Sequence, residues 1–355
     1  MSSSKDVIKL QNDINKTLGS NILITGNKYE KLKIEWISSG LANFDIATKP
    51  HVGAGGIPKG RLVEIYGPEG SGKTSLALST IAEAQKQGIV CAFFDAEGSF
   101  DPFFAEDNFN VNTDSLIISR HPEGEKVLDA VEAMAVSGEV GLIVIDSVAA
   151  LPSMRVLKES NEKDHVAPEA RMWSQALRKL TSKLVKNNCT LILINQLREN
   201  PAQMYGNPEQ TPGGRAIKFY ASMRIEVKKR KSYQEGSGDT ISEIGHLVRF
   251  KIVKNKVGGG KGTALVDFYN DKGFDKIIAL IEAAESVGVI ERGGAWYKYE
   301  SLSEDLPNIQ EQGKDALYAC IKEMEQDKKE KLIEEIKSRL SGGNKSNESK
   351  RKAAS

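Results

Sequence analysis

The sequence predicts an α/β fold in which helices cover both faces of a mainly parallel sheet. Between residues 61 and 195, short and nearly unbroken apolar runs alternate with stretches of helical periodicity. Strands that are buried on both faces have this composition, and helices between them are typical of right-handed βαβ units. The predicted strands cover residues 62–66, 89–94, 115–118, 142–145 and 190–194.

Shorter elements flank this core. Residues 7–18 carry apolar side chains at i, i+3, i+7 and i+11, which predicts an amphipathic helix with Gly19 at its C-cap. Alternating runs at 223–227, 246–253 and 264–268 predict antiparallel strands that extend the sheet.

The last part of the chain changes character twice. Helical periodicity returns after Gly273, which predicts a small C-terminal α+β lobe. The polar end of the chain has nothing to bury, so we expect it to be disordered. The predicted domains are a small N-terminal helix and linker that serves oligomerisation (1–34), an α/β core (35–270), the C-terminal lobe (271–340) and a basic tail (341–355).

Composition and charge exclude several classes of protein. The 355 residues are 39% hydrophobic, and no apolar run approaches the roughly 20 residues that span a bilayer, so we expect no membrane role. The first residues lack the layout of a secretory signal, which favours a cytoplasmic protein. A net charge of +1 gives no global sign of nucleic-acid binding. Cys91, Cys189 and Cys320 form no C-x-x-C pair, which predicts reduced structural thiols.

One segment matches the P-loop pattern G-x-x-x-x-G-K-[ST], and it follows a predicted strand and precedes a helical stretch, as the motif requires. Its glycines let backbone N–H groups converge on phosphate oxygens at a helix N-terminus. Lys73 would neutralise the β and γ phosphates of ATP, and the Thr74 hydroxyl can ligate Mg²⁺. The predicted ATP-binding residues of this segment are Gly67, Pro68, Glu69, Gly70, Ser71, Gly72, Lys73, Thr74 and Ser75.

Polar side chains follow three of the predicted strands. Asp146 ends the fourth apolar run, at the edge where ligands of open α/β sheets bind, and with Thr74 it is predicted to hold the Mg²⁺ shell. Asp95 and Glu97 follow the second strand, which we expect beside the P-loop strand, and either carboxylate could orient the attacking water. Gln196 follows the last of these strands and is a candidate sensor of the γ-phosphate.

Two long polar segments, 155–168 and 197–214, follow strands at the same edge. Loops of this length are usually functional or disordered, and these could change order with the γ-phosphate state. Arg171 and Arg178 lie seven residues apart on the helix between the loops, on nearly one face, and with Arg198 they could contact a phosphate backbone. A solvated basic face would have the same pattern.

Beyond the P-loop, an ordered set of motifs extends along the chain. They are Ile37-Ser-Ser-Gly40, Gly53-Ala-Gly-Gly-Ile-Pro58, Val63-Glu-Ile-Tyr-Gly-Pro-Glu69, Phe94-Asp-Ala-Glu97, Ile145-Asp-Ser-Val-Ala-Ala-Leu151, Ala170-Arg-Met172, Ser174-Gln-Ala176, Ile194-Asn-Gln196, Gly206-Asn-Pro-Glu209, Lys218-Phe-Tyr-Ala-Ser222, Val253-Lys-Asn-Lys256 and Gly294-Ala-Trp-Tyr297. In this combination the chain resembles the bacterial RecA-type DNA recombinases over nearly its whole length. The resemblance implies a RecA-like P-loop NTPase core.

The resemblance also implies roles for single residues. Glu97 corresponds to the carboxylate that activates water, with Lys73 and Gln196 completing the catalytic set. Gln196 corresponds to the residue that couples the γ-phosphate to the second DNA-binding loop. Phe104 stands where the family has a tyrosine against the adenine, and it keeps the stacking face without the hydroxyl.

A further group of residues resembles a subunit interface. Lys254 and Lys256 correspond to a pair that reaches a neighbouring subunit's ATP, and Phe219 corresponds to an interface residue. The resemblance implies a helical filament on single-stranded DNA that exchanges strands with homologous double-stranded DNA, with ATP and Mg²⁺ as cofactors and DNA-stimulated ATP hydrolysis. The implied DNA contacts are Arg171, Arg178, Arg198, Tyr205, Gly213 and Gly214.

The chain departs from the family pattern in three places. Glu199-Asn200-Pro201 stands where a more basic and apolar loop tip is usual, and Arg215 replaces a more usual asparagine. The tail is basic where bacterial members commonly carry an acidic, self-inhibiting tail. We therefore expect weak autoinhibition, so that removing the residues after Leu340 leaves DNA binding unchanged or reduced.

Two other functions share many of these features. A hexameric helicase can have the same core, but it usually carries a separate N-terminal assembly domain, where this sequence has a short helix and linker. A regulatory nucleotide-binding module would hydrolyse ATP slowly and contact no DNA. Stimulation of the ATPase by single-stranded DNA separates that module from a recombinase.

Overall fold

The computed structural model describes residues 4–20, 22–23, 34–48, 55–158, 166–199, 209–210, 212–236, 240–258, 260–301 and 306–342, and the chain divides into two units, 1–35 and 36–355. In the described part of the first unit, helix α1 (Ser4–Thr17) is followed by Gly19 at a φ of 63°. The Asn15 side chain donates to the Leu23 backbone oxygen over 2.7 Å and accepts from the Leu23 N–H over 2.8 Å. The amphipathic helix and its glycine end are thus confirmed.

The second unit contains the remaining described elements. Its strands are β1 (Trp36–Ile37), β2 (Ile57–Pro58), β3 (Leu62–Gly67), β4 (Val90–Asp95), β5 (Leu116–Ser119), β6 (Val140–Asp146), β7 (Thr190–Gln196), β8 (Arg198–Glu199), β9 (Glu209–Gln210), β10 (Met223–Glu235), β11 (Ser242–Asn255), β12 (Thr263–Tyr269), β13 (Gly273–Phe274), β14 (Glu291–Gly293), β15 (Trp296–Tyr299) and β16 (Ile309–Gln312). Its helices are α2 (Ala42–Thr48), α3 (Lys73–Lys86), α4 (Pro102–Phe109), α5 (Gly124–Ser137), α6 (Met154–Lys158), α7 (Val166–Lys186), α8 (Gly214–Tyr220), α9 (Lys276–Ser286), α10 (Lys314–Glu323) and α11 (Gln326–Gly342).

Nine of the described strands form one sheet in the order β13-β12-β11-β10-β3-β7-β6-β4-β5. Six of them, from β10 to β5 in that order, are mutually parallel. β11, β12 and β13 complete the other side with antiparallel pairings. The predicted α/β fold with a mainly parallel central sheet is confirmed.

Two predictions about this sheet are wrong. The sequence predicts β4 next to the P-loop strand β3, whereas β7 and β6 lie between them. The sequence also predicts β10 as antiparallel, whereas it pairs in parallel with β3, with Met223 opposite Val63. The reason is the crossover through α8, which returns the chain to the amino edge of the sheet before β10 begins. The predictions of antiparallel strands at β11 and β12 are confirmed.

Apolar side chains cover both faces of the sheet because successive residues of a strand point to opposite sides. Val63 packs with Leu76 of α3 in one buried cluster, and Leu62 packs with Leu180 of α7 in another. A third cluster, which includes Leu332, holds α9, α10 and α11 against β15 and β16. The strand–helix pattern after residue 273 therefore builds a packed α+β region with its own core.

The positions of the cysteines and the lengths of the described helices agree with what the composition predicts. Cys91 and Cys189 are buried, and burial raises the pKa of both thiols to about 12, so they stay protonated at neutral pH. Cys320 is half-buried and also free. These positions support the predicted structural role. Within the ranges given above, the helices are all too short or too polar to cross a membrane.

The two predicted loops contain regular structure where the structure describes them. In the first, α6 extends to Lys158 and α7 begins at Val166; in the second, β8 and β9 form an antiparallel pair. The prediction of loops without regular structure is therefore wrong at these ends. The middle of the first loop (159–165) and most of the second (200–208 and 211) lie outside the described residues. The sequence predicts a disordered tail from residue 341, whereas helix α11 extends to Gly342, so the predicted boundary is two residues too early. Residues 343–355 lie outside the described residues.

Candidate functional site

The turn from Gly67 to Gly72 joins strand β3 to the N-terminus of helix α3. Gly70 and Gly72 have φ values of 62° and 95°, which glycine adopts without strain. A Cβ atom on Gly67 would lie 2.0 Å from the Val227 backbone oxygen, so this position also requires glycine. Because the first N–H groups of a helix lack partners within it, this turn forms an anion-binding site.

Lys73 is the first residue of α3 and is 8% exposed. Its Nζ donates to the Pro68 backbone oxygen over 2.6 Å, so the ammonium lies against the inside of the turn. Burial lowers the pKa of this lysine, while Asp146, Glu97 and Glu69 act in the opposite direction. The ammonium is therefore held between a phosphate-binding turn and three carboxylates.

Thr74 and Asp146 are joined directly. Thr74 Oγ1 donates to Asp146 Oδ2 over 2.5 Å, and burial raises the pKa of Asp146 to about 6 although this hydrogen bond lowers it. A hydroxyl and a carboxylate suit Mg²⁺, which commonly takes one or two protein oxygens together with substrate phosphates. The described residues contain no group of three or more His, Cys, Asp or Glu that could hold a metal by themselves.

Asp95 stabilises the turn after β4. It is 3% exposed, and its oxygens accept from the Ser99 N–H at 3.0 Å, the Phe100 N–H at 3.2 Å and Arg120 Nε at 3.1 Å. Three donors thus occupy a carboxylate that the sequence left as a candidate base. This arrangement favours the other candidate.

Glu97 lies among the polar side chains at the carboxyl edge of the sheet. Its Oε1 accepts from Ser147 Oγ at 2.5 Å and from Gln196 Nε2 at 2.9 Å. Gln196 is paired with Gly67 in the β3–β7 ladder, so its amide connects the start of the P-loop with Glu97. The structure therefore brings together Lys73, Asp146, Glu97 and Gln196, which sequence reasoning placed at one edge.

A cleft of about 430 Å³ opens beside the P-loop, within the range of small-molecule sites. Its lining residues are Gly70, Ser71, Gly72, Lys73, Thr74, Ser75, Lys229, Glu243, His246, Phe268 and Asn270. Sequence reasoning missed the last five. His246 and Phe268 lie in the alternating runs 246–253 and 264–268, but alternation does not say what each face contacts. Lys229, Glu243 and Asn270 lie outside those runs and had no signal in the sequence.

Phe104, the residue expected to stack on the adenine, lies on helix α4 and is not among the lining residues of this cleft. Its ring packs edge-on against Phe109, with centroids 5.5 Å apart, and the Asp101 side chain caps the helix by accepting from the Phe103 and Phe104 N–H groups. Asn108 of the same helix donates to the Asn270 backbone oxygen at 3.4 Å, which connects α4 to the wall of the cleft.

Lys254, Lys256 and Phe219 lie together elsewhere in the molecule. Lys254 Nζ donates to the backbone oxygens of Lys218 and Phe219 at 2.6 and 3.1 Å, and Lys256 Nζ lies 5.6 Å from the centre of the Phe219 ring. Burial lowers the pKa of Lys254 to about 8, and the charges of Lys256 and Arg224 act in the same direction. Phe219 is 69% exposed.

This group lies at the amino edge of the sheet. Lys254 is opposite Arg224 on β10, and Arg224 is opposite Glu64 near the start of β3. The P-loop follows the other end of β3, about 10 Å further along at roughly 3.3 Å per residue. The two lysines and the P-loop of one chain therefore lie at opposite edges.

The structure describes some of the candidate DNA contacts and not others. Arg171 and Arg178 are exposed on α7, whereas the Arg198 side chain and Tyr205 lie outside the described residues. Gly213 and Gly214 have φ values of 82° and 73°, and a Cβ on them would lie 2.4 Å from Ile217 and 3.0 Å from Ala170. These glycines thus have a structural role in the packing of α8, which the sequence did not indicate.

Glu64 is a buried residue that sequence reasoning missed. It is fully buried, and it accepts from Arg224 Nε at 2.5 Å and from Asn195 Nδ2 at 3.1 Å. Asn195 also donates to the Pro212 backbone oxygen at 3.0 Å. The network links β10, β3 and β7 to the end of the second loop. A carboxylate inside the apolar run 62–66 was its only signal.

Comparisons with known proteins agree with this geometry. A family model described as the RecA N-terminal domain matches residues 5–275. Protein RecA of Mesomycoplasma hyopneumoniae strain J is 44% identical over 300 residues, which cover 84% of this chain and 86% of that protein. Protein RecA of Clostridioides difficile strain 630 is 42% identical over 315 residues, covering 87% and 88%. The chromosomal protein RecA of Lactococcus lactis subsp. lactis strain IL1403 is 44% identical over 286 residues, covering 81% and 73%. The chain therefore belongs to the RecA family of bacterial DNA recombinases.

Proposed function

We propose that this protein assembles as a helical filament on single-stranded DNA and pairs that strand with homologous double-stranded DNA. As a member of the RecA family it is a DNA-dependent ATPase of homologous recombination and recombinational repair. One contact carries the proposed coupling between ATP and DNA. The hydrogen bond from Gln196 to Glu97 joins the nucleotide site to the residue from which the second loop departs.

In this proposal the triphosphate of ATP lies on the turn from Gly67 to Thr74. The Lys73 ammonium moves from the Pro68 oxygen to the β and γ phosphates. Thr74 and Asp146 would hold Mg²⁺. The metal ion, when bound, neutralises charge that develops on the β and γ oxygens during transfer.

Glu97 is the proposed general base. Ser147 and Gln196 both donate to its Oε1, which fixes the orientation of the carboxylate near Lys73 and Asp146. A carboxylate held in this way accepts a proton from the attacking water as the γ-phosphoryl group departs. When the γ-phosphate is lost, Gln196 can change partner and alter the order of the second loop.

Lys254 and Lys256 are proposed to act on the ATP of a neighbouring subunit. They lie at the amino edge of the sheet, so they are remote from the P-loop of their own chain. If one subunit places its amino edge against the carboxyl edge of the next, the contact is heterologous and repeats along a helix. The exposed ring of Phe219 would then be buried in the same contact.

DNA is proposed to bind along α7 and the two loops. Arg171 and Arg178 project from α7, whose N-terminus follows the first loop. Phosphate contacts of this kind give binding that depends little on sequence and strongly on salt. We also propose a cytoplasmic location, where such DNA is accessible.

Strand exchange between homologous DNAs tests the proposal. The wild type and Lys73→Ala are compared for ATP binding, filament formation and strand exchange, with Lys86→Ala at the far end of α3 as a matched lysine control. We expect exchange with the wild type and the control, and none with Lys73→Ala. A wild type that binds ATP but forms no filament and pairs no homologous strands rules out the recombinase. A DNA-stimulated ATPase without pairing would favour a helicase, and an ATPase without stimulation would favour a regulatory module.

A further inference from the structure

His246 is a buried histidine on the wall of the cleft beside the P-loop. It lies on β11 two residues before Val248, and a Cβ on Gly72 would lie 3.6 Å from the Val248 side chain. Alternate residues of a strand face the same side, so His246 shares the face of the sheet that packs against the P-loop. It lies one step closer to the carboxyl edge than Val248.

The imidazole of His246 has unused hydrogen-bonding capacity. The residue is 5% exposed, and among the described residues neither Nδ1 nor Nε2 has a hydrogen-bond partner. Glu243 Oε1 is 3.6 Å from Nδ1, which is too long for a hydrogen bond, and this carboxylate is already paired with Lys229. Buried polar groups are nearly always satisfied, so two bare ring nitrogens in a cleft indicate a missing partner.

The surroundings of the ring indicate what kind of partner fits. Burial lowers the pKa of His246, Lys229 acts in the same direction, and Glu243 acts in the opposite one. At neutral pH the ring is therefore uncharged and offers one N–H donor and one acceptor. Its face packs against Phe268, with centroids 5.3 Å apart at 40°. The Lys229 ammonium in the same cleft is paired with Glu243, so the uncharged ring and its aromatic neighbour suit a nucleoside. A phosphate would be met by cations that are not already paired with a carboxylate.

The position of the ring agrees with that chemistry. The cleft runs from the P-loop residues, where a triphosphate binds, to His246, Phe268 and Asn270. A nucleotide held by its phosphates at one end must place its ribose and base beside the loop. The cleft is the described space that continues from the loop in the direction of β11 and β12.

We infer that His246 is a positioning residue for the nucleoside half of the bound nucleotide, through a hydrogen bond to the ribose or to the edge of the purine. The inference rests on the proposed function, because it takes ATP to be bound on the P-loop. According to this inference, the two ring nitrogens of His246, and not only the volume of the ring, contribute to the affinity for a nucleotide.

The test measures the affinities of the full chain for ATP, dATP and inorganic tripolyphosphate in the presence of Mg²⁺. His246→Phe keeps a ring against Phe268 and removes both nitrogens. We expect this variant to bind ATP roughly five- to tenfold more weakly, the size of one net hydrogen bond, and to bind tripolyphosphate as the wild type does. His246→Gln restores a donor and an acceptor and should recover part of the loss. His121→Phe, at an exposed histidine, is the matched control and should change neither affinity.

Comparison of the nucleotides identifies the partner. If the ribose 2′-hydroxyl is bound, the wild type prefers ATP to dATP and His246→Phe loses that preference; if the purine is bound, the variant weakens both equally. Equal losses for ATP and tripolyphosphate would show that His246 only maintains the shape of the cleft, and unchanged affinities would show that its nitrogens are unused. Either result overturns the inference. The proposed ATP site is judged separately, by whether Lys73→Ala abolishes binding of both ATP and tripolyphosphate.

Discussion

The two edges of the central sheet hold their functional side chains in different ways. At the carboxyl edge, Lys73 and Asp146 are buried, and Glu97 is fixed by two donors. At the amino edge, Lys254 binds the backbone oxygen of Phe219 and Lys256 lies over its exposed ring. The first group is a network that one chain completes by itself, whereas the second projects outward. This difference is what we expect if, as proposed, each chain carries most of one catalytic site and the remaining part of another.

The largest effect should come from Glu97, the proposed base at the carboxyl edge. Glu97→Gln keeps an oxygen for Ser147 and removes the proton acceptor, so we expect ATP hydrolysis to fall roughly 100- to 10,000-fold while ATP binding persists. Steady-state ATPase assays measure the rate of hydrolysis, and equilibrium nucleotide binding measures the affinity for ATP. Asp95→Asn is the matched control; it weakens the contact with Arg120 and should lower stability more than it lowers the chemical rate. Hydrolysis by Glu97→Gln within about tenfold of the wild type would assign the base elsewhere.

The amino edge should matter only when chains meet. We expect Lys254→Ala to lower the DNA-stimulated ATPase roughly 100-fold, the effect of removing one donor to a transferring group, without changing the affinity of isolated chains for ATP. Lys261→Ala, an exposed lysine between β11 and β12, is the control and should have no effect.

Mixing two variants tests the role of each edge separately. Lys254→Ala has an intact P-loop, and Lys73→Ala has intact amino-edge lysines, so an equimolar mixture contains some complete sites and should recover part of the ATPase activity. Each variant alone should stay inactive. A mixture that remains as inactive as its components would mean that Lys254 serves its own chain.

How much of these two edges could be predicted from the sequence depends on whether a feature is formed by neighbouring residues in the chain. The P-loop pattern needs only a strand, a turn and a helix in succession, so the positions from Gly67 to Thr74 could be predicted. The order of the strands could not be predicted. The sequences of β4, β6 and β7 are all buried apolar runs, and the positions of these strands in the sheet depend on helix packing. The role of Asp95 depends on Arg120, 25 residues away, and no pattern in the chain indicates that contact. His246 lies on an alternating strand whose neighbour across the cleft is the P-loop, and that proximity exists only in the folded chain.

The pH dependence of stability tests how tightly the carboxyl edge is packed. The pKa of Asp146 is raised from 3.8 to about 6, so the folded chain binds this proton more tightly than the unfolded chain. As pH rises from about 4 to 6, the buried carboxylate ionises at a cost of about 3 kcal/mol, and the cost persists above pH 6. Asp146→Asn has no carboxylate at this position, so the variant does not incur this cost. Urea unfolding without Mg²⁺ or nucleotide should find this variant more stable than the wild type by about 2–3 kcal/mol at pH 7 and equal near pH 4.

The same substitution should impair function. Asp146→Asn removes a charge from the proposed Mg²⁺ site, so its ATPase activity should fall while its stability rises. Asp129→Asn, on an exposed part of α5, is the control and should change neither. A variant that is less stable than the wild type at pH 7 would mean that the carboxylate of Asp146 stabilises the apoprotein, contrary to the raised pKa.

The smallest expected effect concerns α7, and it decides whether DNA binds at the same edge as ATP. Arg171→Ala and Arg178→Ala should each weaken single-stranded DNA binding roughly three- to tenfold at moderate salt and reduce the salt slope by about 0.7. Lys186→Ala is the control, because this lysine lies at the other end of the same helix, about 22 Å from Arg171 and about 12 Å from Arg178. Equal losses at all three positions would indicate a general electrostatic effect, and no loss at either arginine would indicate a solvated basic face. Losses confined to the arginines would place DNA along α7, which begins at the edge of the sheet that also holds Glu97 and Gln196. The hydrogen bond between those two residues could then report the state of the nucleotide to the proposed DNA-binding loop.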